Sequence, residues 1–286
     1  MKKIIEDYIE LTKPRIVFMV LITATIGYYL GGHGIKSYWT LFCLLTGVGF
    51  VCAGAAALNH YLERELDSKM NRTKKRPLPA KRMKPANALQ FGVLLCLTGI
   101  FVLYIEVNIL TSFLSLLTAF LYVLVYTPMK RVSWLNTTVG AFPGAMPPLG
   151  GWAAATGTLN FDAGILFLIL FIWQHPHFYA IAWMFKEDYK KAGFKMLPCV
   201  EEDGGSMFQQ IHYYSLLLIP VSLVPALTGL SGAVYFVGAL VAGILLLIMS
   251  EIFIKSRSIV DARKLLRATV IYLPVLLTLI MLDVQF

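Results

Sequence analysis

The amino-acid sequence predicts an all-α integral membrane protein with nine transmembrane helices. Of its 286 residues, 58% are hydrophobic and only 14% are charged, whereas soluble domains are about 45 to 50% apolar and about 25% charged. Each membrane-crossing helix needs about 20 mostly apolar residues, and nine stretches of this kind follow one another along the chain. We therefore expect a single membrane domain over residues 1–286, with a short cytoplasmic segment at 1–13.

The distribution of Lys and Arg supports this arrangement of spans. If the nine predicted stretches all cross the membrane, every Lys and Arg except Lys36 lies on one side of it. The positive-inside rule makes that side cytoplasmic, so the N-terminus is expected inside and the C-terminus outside. Topology thus accounts for the formal net charge of +9, and no nucleic-acid partner is expected. The predicted spans are residues 14–31, 39–58, 88–105, 109–126, 137–155, 163–184, 213–230, 232–254 and 268–285.

The segment before the first span indicates the type of membrane. It carries Glu6, Asp7 and Glu10, and no small-residue cleavage site follows it. These features argue against a removable signal peptide and against a mitochondrial transit peptide. We expect a multi-pass protein of a bacterial plasma membrane.

Three oxygen-bearing side chains recur every fourth residue at the end of the second span. If that helix continues at about 100° per residue, Asn59, Glu63 and Asp67 form one stripe at its cytoplasmic end, and Glu65 points elsewhere. Carboxylate and amide oxygens suit Mg²⁺, which binds through one or two carboxylates and completes its shell with water and substrate phosphates. The stripe therefore predicts a magnesium site.

The loop after this stripe is rich in cations that suit a phosphate group. Arg72 and Arg76 carry the forked guanidinium that matches phosphate oxygens, and Lys75 lies between them. A diphosphate bound through Mg²⁺ is the functional interpretation. A solvated helix end, whose acids pair with nearby cations, is the alternative.

The fifth predicted span is unusually rich in Gly and Pro. Seven of these residues lie between Gly140 and Gly151. A regular helix there is costly, and irregular backbone at membrane depth is found only where protein or a water-filled cavity surrounds it. We expect this span to be kinked or interrupted beside a cavity. A Pro-kinked helix with a structural role is the alternative.

The sixth predicted span carries histidine and aromatic side chains. On a helix that continues past residue 184, Gln174, His177 and Asp188 share one face, whereas His175 points elsewhere. Ionisable groups inside a membrane are functional candidates by default. His177 is therefore a candidate site residue, and an interior histidine with satisfied hydrogen bonds is the alternative.

Three stretches of the chain carry distinctive motifs: AALNHYLERELDSKMNRTKKRPLP, YTPMKRVSWLNTTVGAFPGAMPPLGGWAAATG and FIWQHPHFYAIAWMFKEDYKKAGFKMLP. They resemble the UbiA-type membrane prenyltransferases and, more narrowly, the heme O synthase (protoheme IX farnesyltransferase) family. The resemblance covers roughly residues 12–200. Glu63 and Glu65 stand where the family usually has aspartate, and Met184 stands where the wider superfamily usually has the first acid of a second DxxxD motif.

The resemblance implies a UbiA-like bundle around a central cavity and a Mg²⁺-dependent prenyltransferase activity. The enzyme would transfer a farnesyl group from farnesyl diphosphate to a vinyl group of heme b, with addition of water and release of diphosphate. Heme b is then a substrate and not a bound prosthetic group. His177 is implied as an axial contact to heme or as a base that positions water. Partners would be the lipid bilayer and a heme A synthase or terminal oxidase.

The implied site residues fall into three groups. Asn59, Glu63, Asp67 and Asp188 would hold Mg²⁺; Arg72, Arg76, Lys130 and Arg131 would bind diphosphate; Tyr126, Asn136, Trp152, Trp173, Gln174 and Phe178 would line the heme and prenyl cavity. A quinone-type aromatic prenyltransferase of the same superfamily is the first alternative. A multi-span transporter is the second, and its ionisable residues should lie near the bilayer midplane.

Overall fold

The computed structural model describes residues 2–285, most of which are helical. One segment, Leu121–Tyr126, is π-helical. The α-helices are α1 (Lys2–Thr12), α2 (Pro14–Gly32), α3 (Tyr38–Asp67), α4 (Pro85–Glu106), α5 (Ile109–Phe120), α6 (Thr127–Met129), α7 (Asn136–Thr156), α8 (Phe161–Met184), α9 (Lys186–Ala192), α10 (Leu197–Val200), α11 (Gly205–Leu227), α12 (Ala233–Ser256) and α13 (Ile259–Leu282).

Eight helical stretches of the described chain are long and apolar enough to cross a membrane. They are α2, α3, α4, Ile109–Met129, α8, α11, α12 and α13. The predicted all-α, multi-pass membrane fold is thus confirmed. α7 occupies the position of the fifth predicted span, but its many Gly and Pro residues make it less apolar and it is not among the eight. The predicted count of nine is reached only if α7 is included.

Several helices extend beyond the apolar windows that predicted them. α11 begins at Gly205 and not at residue 213, and α13 begins at Ile259 and not at residue 268. At α13 the side-chain oxygen of Ser258 accepts a hydrogen bond from the backbone N–H of Asp261 at 3.1 Å. This cap starts the helix on polar residues, before its apolar stretch begins.

Of the kink or interruption predicted for the fifth span, the interruption is wrong. α7 runs as one helix from Asn136 to Thr156, with Pro143, Pro147 and Pro148 inside it. Prolines are tolerated in membrane helices because neighbouring helices and local adjustments satisfy the freed backbone groups. The departure from α-helical geometry lies in the preceding span, at Leu121–Tyr126. Such π-helical turns occur frequently at functional sites.

The chain forms two compact units. One contains the described residues up to Leu159 together with Glu187–Lys195, and the other contains Asn160–Lys186 and the described residues from Met196 onward. The expectation of a single functional domain over residues 1–286 stays a prediction.

Within the first unit, α2 and α7 approach each other through glycines. A Cβ atom on Gly151 would lie 1.9 Å from the backbone oxygen of Ala24, and one on Gly27 would lie 2.0 Å from that of Pro148. Small residues allow such close backbone contact between membrane helices, where packing and not the hydrophobic effect drives association. The Gly-rich sequence of α7 thus serves its contact with α2.

We expect Gly151→Ala to lower the stability of the protein markedly, whereas Gly150→Ala should not. The added methyl group at position 151 collides with backbone and not with a flexible side chain, and overpacking of this kind typically costs about 1 to 3 kcal/mol. Position 150 has no atom within 4 Å of an added Cβ. Thermal unfolding of the purified variants in detergent checks this. Equal melting temperatures would show that the α2–α7 contact is less tight than described.

In the second unit, α8 packs against α11 and α13, while α12 packs against α11 and α13. Polar side chains are paired inside this unit. The hydroxyl groups of Ser215 and Ser250 lie 2.8 Å apart, and the Tyr235 hydroxyl donates to the backbone oxygen of Ser222 at 2.7 Å. Because polar groups without partners are costly in an apolar interior, these bonds favour one alignment of the helices.

Candidate active site

The last turns of α3 carry the polar stripe. Asn59, Glu63 and Asp67 are spaced by four residues on one continuous helix, and their exposed fractions are 1%, 5% and 0%. Glu65, on another face, has a side chain that is 82% exposed. The three stripe residues therefore direct their oxygens into the protein and not into solvent.

Each stripe residue is in contact with a different cation. Lys13 Nζ donates to Asn59 Oδ1 at 2.8 Å, and Lys130 Nζ donates to Glu63 Oε1 at 2.8 Å. The contact of Asp67 is made by Arg76, which binds Asp67 Oδ2 at 2.8 Å. The cluster thus contains three basic groups and two carboxylates, an excess of positive charge that attracts anions.

Neighbouring polar groups fix the orientation of Asn59. Its Nδ2 donates to Thr127 Oγ1 at 3.0 Å, and the Thr127 hydroxyl donates to the backbone oxygen of Tyr122 at 2.8 Å. With its amide nitrogen held there, Asn59 presents its carbonyl oxygen to Lys13. The amide oxygen is therefore oriented before any ligand binds.

Lys13 and Lys130 occupy different electrostatic environments. Burial, together with the positive charges of Arg76 and Lys130, lowers the pKa of Lys13 to about 7. Burial also lowers the pKa of Lys130, but the Glu63 carboxylate outweighs that effect and the pKa is raised overall. Lys130 thus stays charged, whereas Lys13 gains its full charge when an anion approaches.

The donor atoms of the stripe fit a hard divalent cation. Asp67 Oδ1 is buried without a hydrogen-bond partner among the described residues, although buried polar atoms normally have one. Among residues 2–285, no group of three or more His, Cys, Asp or Glu side chains converges as a metal site. Two carboxylates and one amide oxygen leave positions for water and phosphate, which is how Mg²⁺ usually binds.

Asp188 lies in the same unit and contacts the loop that follows α3. Its carboxylate accepts from the backbone N–H of Arg72 at 3.3 Å and from Asn71 Nδ2 at 3.4 Å. The next residue, Tyr189, accepts a hydrogen bond from the Arg72 guanidinium through its hydroxyl at 2.9 Å. Asp188 and Arg72 are thus brought together, and Asp188 is placed beside the basic loop.

The predicted common face of Gln174, His177 and Asp188 is wrong. It required one helix through residue 188, but α8 ends at Met184 and a separate helix, α9, carries Asp188. Just after the break, Lys186 Nζ donates to the Glu202 backbone oxygen at 2.6 Å. No Gly or Pro marks the break in the sequence.

The other predicted site residues of the first unit differ in how close they lie to the stripe. The Lys130 ammonium lies 4.5 Å from the centre of the Tyr126 ring, whereas Arg131 is exposed. Asn136 is fully buried and donates to the backbone oxygen of Lys195 at 3.0 Å. Trp152 is buried beside α2. Tyr126 thus lies next to the cluster, and the contacts of Asn136 and Trp152 hold the unit together.

In the second unit, α8 presents an aromatic group around His177. The Trp173 and His177 rings stack with centroids 5.0 Å apart, and Phe178 contacts the same imidazole edge-on at 5.5 Å. His177 Nδ1 lies 2.9 Å from Thr269 Oγ1. Gln174 is buried and donates to the backbone oxygen of Leu170 at 3.0 Å.

Sequence reasoning missed Lys13, Tyr122, Thr127 and Thr269. Lys13 precedes Pro14 in a left-handed conformation, with φ of 51°, and a cation before a span has an ordinary topological explanation. Tyr122 lies in the π-helical segment, which no sequence pattern indicated. The only available signal was the Lys-Pro pair that separates α1 from α2.

The chain is similar to known membrane prenyltransferases over most of its length. Residues 20–273 match the model of the UbiA prenyltransferase family. A protein of Solibacter usitatus named protoheme IX farnesyltransferase is 48% identical, covering 97% of this chain and 98% of the relative. A protein of the same name from Koribacter versatilis is 42% identical, covering 98% of this chain and 94% of the relative.

Solved structures share the fold at low sequence identity. A structure described as digeranylgeranylglyceryl phosphate synthase superposes with a TM-score of 0.83 at 20% identity, covering 99% of both chains. A UbiA homolog from Archaeoglobus fulgidus, bound to DMAPP and Mg²⁺, superposes with a TM-score of 0.68 at 14% identity and covers 96% of this chain and 99% of that one.

Proposed function

This chain belongs to the UbiA prenyltransferase family, and we propose that it acts as a heme O synthase, a protoheme IX farnesyltransferase. It transfers the farnesyl group of farnesyl diphosphate to a vinyl group of heme b, adds water and releases diphosphate. The observation that carries this proposal is the near full-length similarity, at 48% identity, to a relative of that name. The buried cluster of oxygens and cations on α3 suits the diphosphate substrate.

The reaction requires that the bond between C1 of the farnesyl group and the diphosphate oxygen breaks. The terminal vinyl carbon then bonds to C1 and leaves a cation next to the porphyrin. Water adds to that cation and loses a proton, which yields a hydroxyl group. The protein must therefore stabilise the departing diphosphate and admit water only at the last step.

In this proposal the α3 stripe holds Mg²⁺. Asn59, Glu63 and Asp67 supply hard oxygen ligands, and Asp188 contributes from the neighbouring α9. When bound, the metal neutralises the diphosphate and makes it a better leaving group. The buried, partnerless Oδ1 of Asp67 supports this assignment, because a bound cation would satisfy it.

The cations around the stripe bind the diphosphate itself. Lys130 and Arg76 already touch the stripe, and Arg72 adjoins Asp188. The exposed Arg131 is a further candidate for contact with an outer phosphate oxygen. We add Lys13 to this set because its Nζ donates to Asn59 Oδ1 and because the charges of Arg76 and Lys130 act on it. Positive charge aimed at a leaving group stabilises the transition state.

Four aromatic and two amide side chains are assigned to contact the prenyl chain and the porphyrin. The candidates are Tyr126, Asn136 and Trp152 in the first unit and Trp173, Gln174 and Phe178 in the second. His177 contacts heme through iron or positions the water that captures the cation. A dry aromatic environment protects a carbocation from early capture.

We further propose a bacterial plasma membrane location, with the N-terminus and the stripe on the cytoplasmic side and the C-terminus outside. If α7 is counted as a span, the number of crossings is odd and all cations except Lys36 share one side. Because farnesylated heme is strongly apolar, it stays in the bilayer. A heme A synthase or terminal oxidase is the class of partner that would receive it there.

Incubation of the purified protein with heme b, farnesyl diphosphate and Mg²⁺ should yield farnesylated heme, detected by mass. Addition of EDTA should abolish the product, because the stripe oxygens then lack the cation that neutralises diphosphate. Prenylation of 4-hydroxybenzoate in place of heme would favour a quinone-type enzyme. Uptake of a solute into vesicles without any prenylated product would favour a transporter.

A further inference from the structure

The imidazole ring of His177 is in contact with Thr269, a residue of another helix. His177 lies on α8, is only partly buried and stacks on Trp173. Its Nδ1 is 2.9 Å from Thr269 Oγ1. Thr269 lies on α13, 92 positions further along the chain, and its exposed fraction is 0%.

The hydroxyl group of Thr269 has two partners but only one proton. Its oxygen lies 2.7 Å from the backbone oxygen of Leu266, which accepts hydrogen bonds and cannot donate one. A contact this short between two oxygens requires a proton between them, so the Thr269 hydroxyl donates to Leu266. Thr269 Oγ1 then has only lone pairs to offer to His177.

It follows that His177 must donate through Nδ1. The neutral ring then carries its proton on Nδ1 and an unprotonated lone pair on Nε2. Among the described residues, none hydrogen-bonds Nε2, and the side chain remains partly accessible. Trp173 reinforces the arrangement, since its Nε1 donates to the backbone oxygen of Thr269 at 2.8 Å while its face stacks on the imidazole.

We propose that Thr269 is a positioning residue that fixes the Nδ1–H tautomer of His177, so that Nε2 binds the iron of a porphyrin substrate. This inference rests on the proposed function. A histidine that binds a metal usually donates its other ring N–H to a fixed oxygen acceptor, and Thr269 provides that acceptor.

The surroundings of the ring favour an iron ligand over a base. A base that takes a proton from water becomes a cation, and an unpaired charge among membrane helices is costly. Among the described residues, the His177 ring contacts the hydroxyl group of Thr269 and the rings of Trp173 and Phe178. None of these groups is a carboxylate that could balance a positive charge. Binding of iron through the lone pair leaves the imidazole without an added proton.

The test uses the full-length protein in detergent, with hemin as the probe. In protein labelled with ¹⁵N-histidine, the wild-type His177 should show protonated Nδ1 and unprotonated Nε2. Hemin should acquire the absorption and electron paramagnetic resonance features of an imidazole ligand, and His177→Ala should lose them. Thr269→Val, which keeps shape but lacks the hydroxyl, should weaken hemin binding by about 10 to 100-fold, whereas Thr269→Ser should retain it.

The inference is overturned by a wild-type His177 protonated on Nε2, by hemin features unchanged in His177→Ala, or by hemin binding unchanged in a folded Thr269→Val. If Thr269→Val fails to fold, the wild-type nitrogen signals and the Thr269→Ser variant still decide. Farnesyl diphosphate binding should be equal in wild type and Thr269→Val, which separates positioning from general damage. If hemin acquires an imidazole ligand but no farnesylated product forms, only the proposed function is contradicted. If the product forms without imidazole ligation, only this inference is contradicted.

Discussion

Asp67→Asn is expected to reduce the turnover of heme b to farnesylated heme by at least about 10²-fold while the protein stays folded. Asp67 is fully buried, with Oδ2 on Arg76 and Oδ1 without a partner. Asparagine has nearly the same shape but lacks the negative charge that a divalent cation needs. Arg76 would donate its hydrogen bond to the amide oxygen of the new asparagine. The amide N–H₂ group would then point to the place where the metal would bind. Steady-state product formation measures the effect.

Glu65→Gln is the matched control for this variant. Glu65 lies on the same helix two positions earlier, but its side chain is 82% exposed. It should retain wild-type turnover. Raising the Mg²⁺ concentration should recover part of the activity of Asp67→Asn if the loss comes from weaker metal binding. Wild-type turnover in Asp67→Asn would remove the metal assignment of the stripe.

The fold was predictable where an apolar window and a helix coincide. α2, α4 and α8 lie close to their predicted spans, because an apolar stretch fills most of each helix. α13 was misplaced because its start is set by the Ser258 cap, whose Ser-x-x-Asp spacing is a recognised helix start signal. An interruption of α7 was expected because the energetic cost of proline in a helix can be read from the sequence. The contacts with neighbouring helices that allow the prolines cannot be read from it.

The candidate site was predictable only in its local part. Asn59, Glu63 and Asp67 lie on one helix, so their spacing alone placed them on one stripe. Lys13 and Lys130 contact that stripe from 46 and 67 positions away in the sequence. Helical periodicity predicts contacts only between residues a few positions apart. The same limit applies to Thr269, which lies in a helix without a recognisable motif. Sequence reasoning therefore identified the stripe but not the distant side chains that bond to it.

A second large effect is expected from the buried ion pair of Glu63 and Lys130. Their side chains are only 7% and 12% exposed, with 2.8 Å between Nζ and Oε1. Removing one partner leaves an uncompensated buried charge, which costs about 3 to 5 kcal/mol of stability. Lys130→Met alone and Glu63→Gln alone should both lower the melting temperature in detergent. Each should also reduce turnover by about 10² to 10³-fold, because each loses a group that, in the proposed function, binds the diphosphate or its metal.

The double variant separates the two roles of this pair. With both charges gone, most of the lost stability should return, but turnover should stay as low as in the single variants, because neither the ligand nor the leaving-group cation is restored. Lys264→Met is the control: it breaks the 2.7 Å pair with Asp261 at a side chain that is 58% exposed, and exposed pairs contribute about 0 to 1 kcal/mol. Recovery of turnover together with stability in the double variant would mean that Glu63 and Lys130 only hold the fold together, and the diphosphate site would then have to be sought elsewhere.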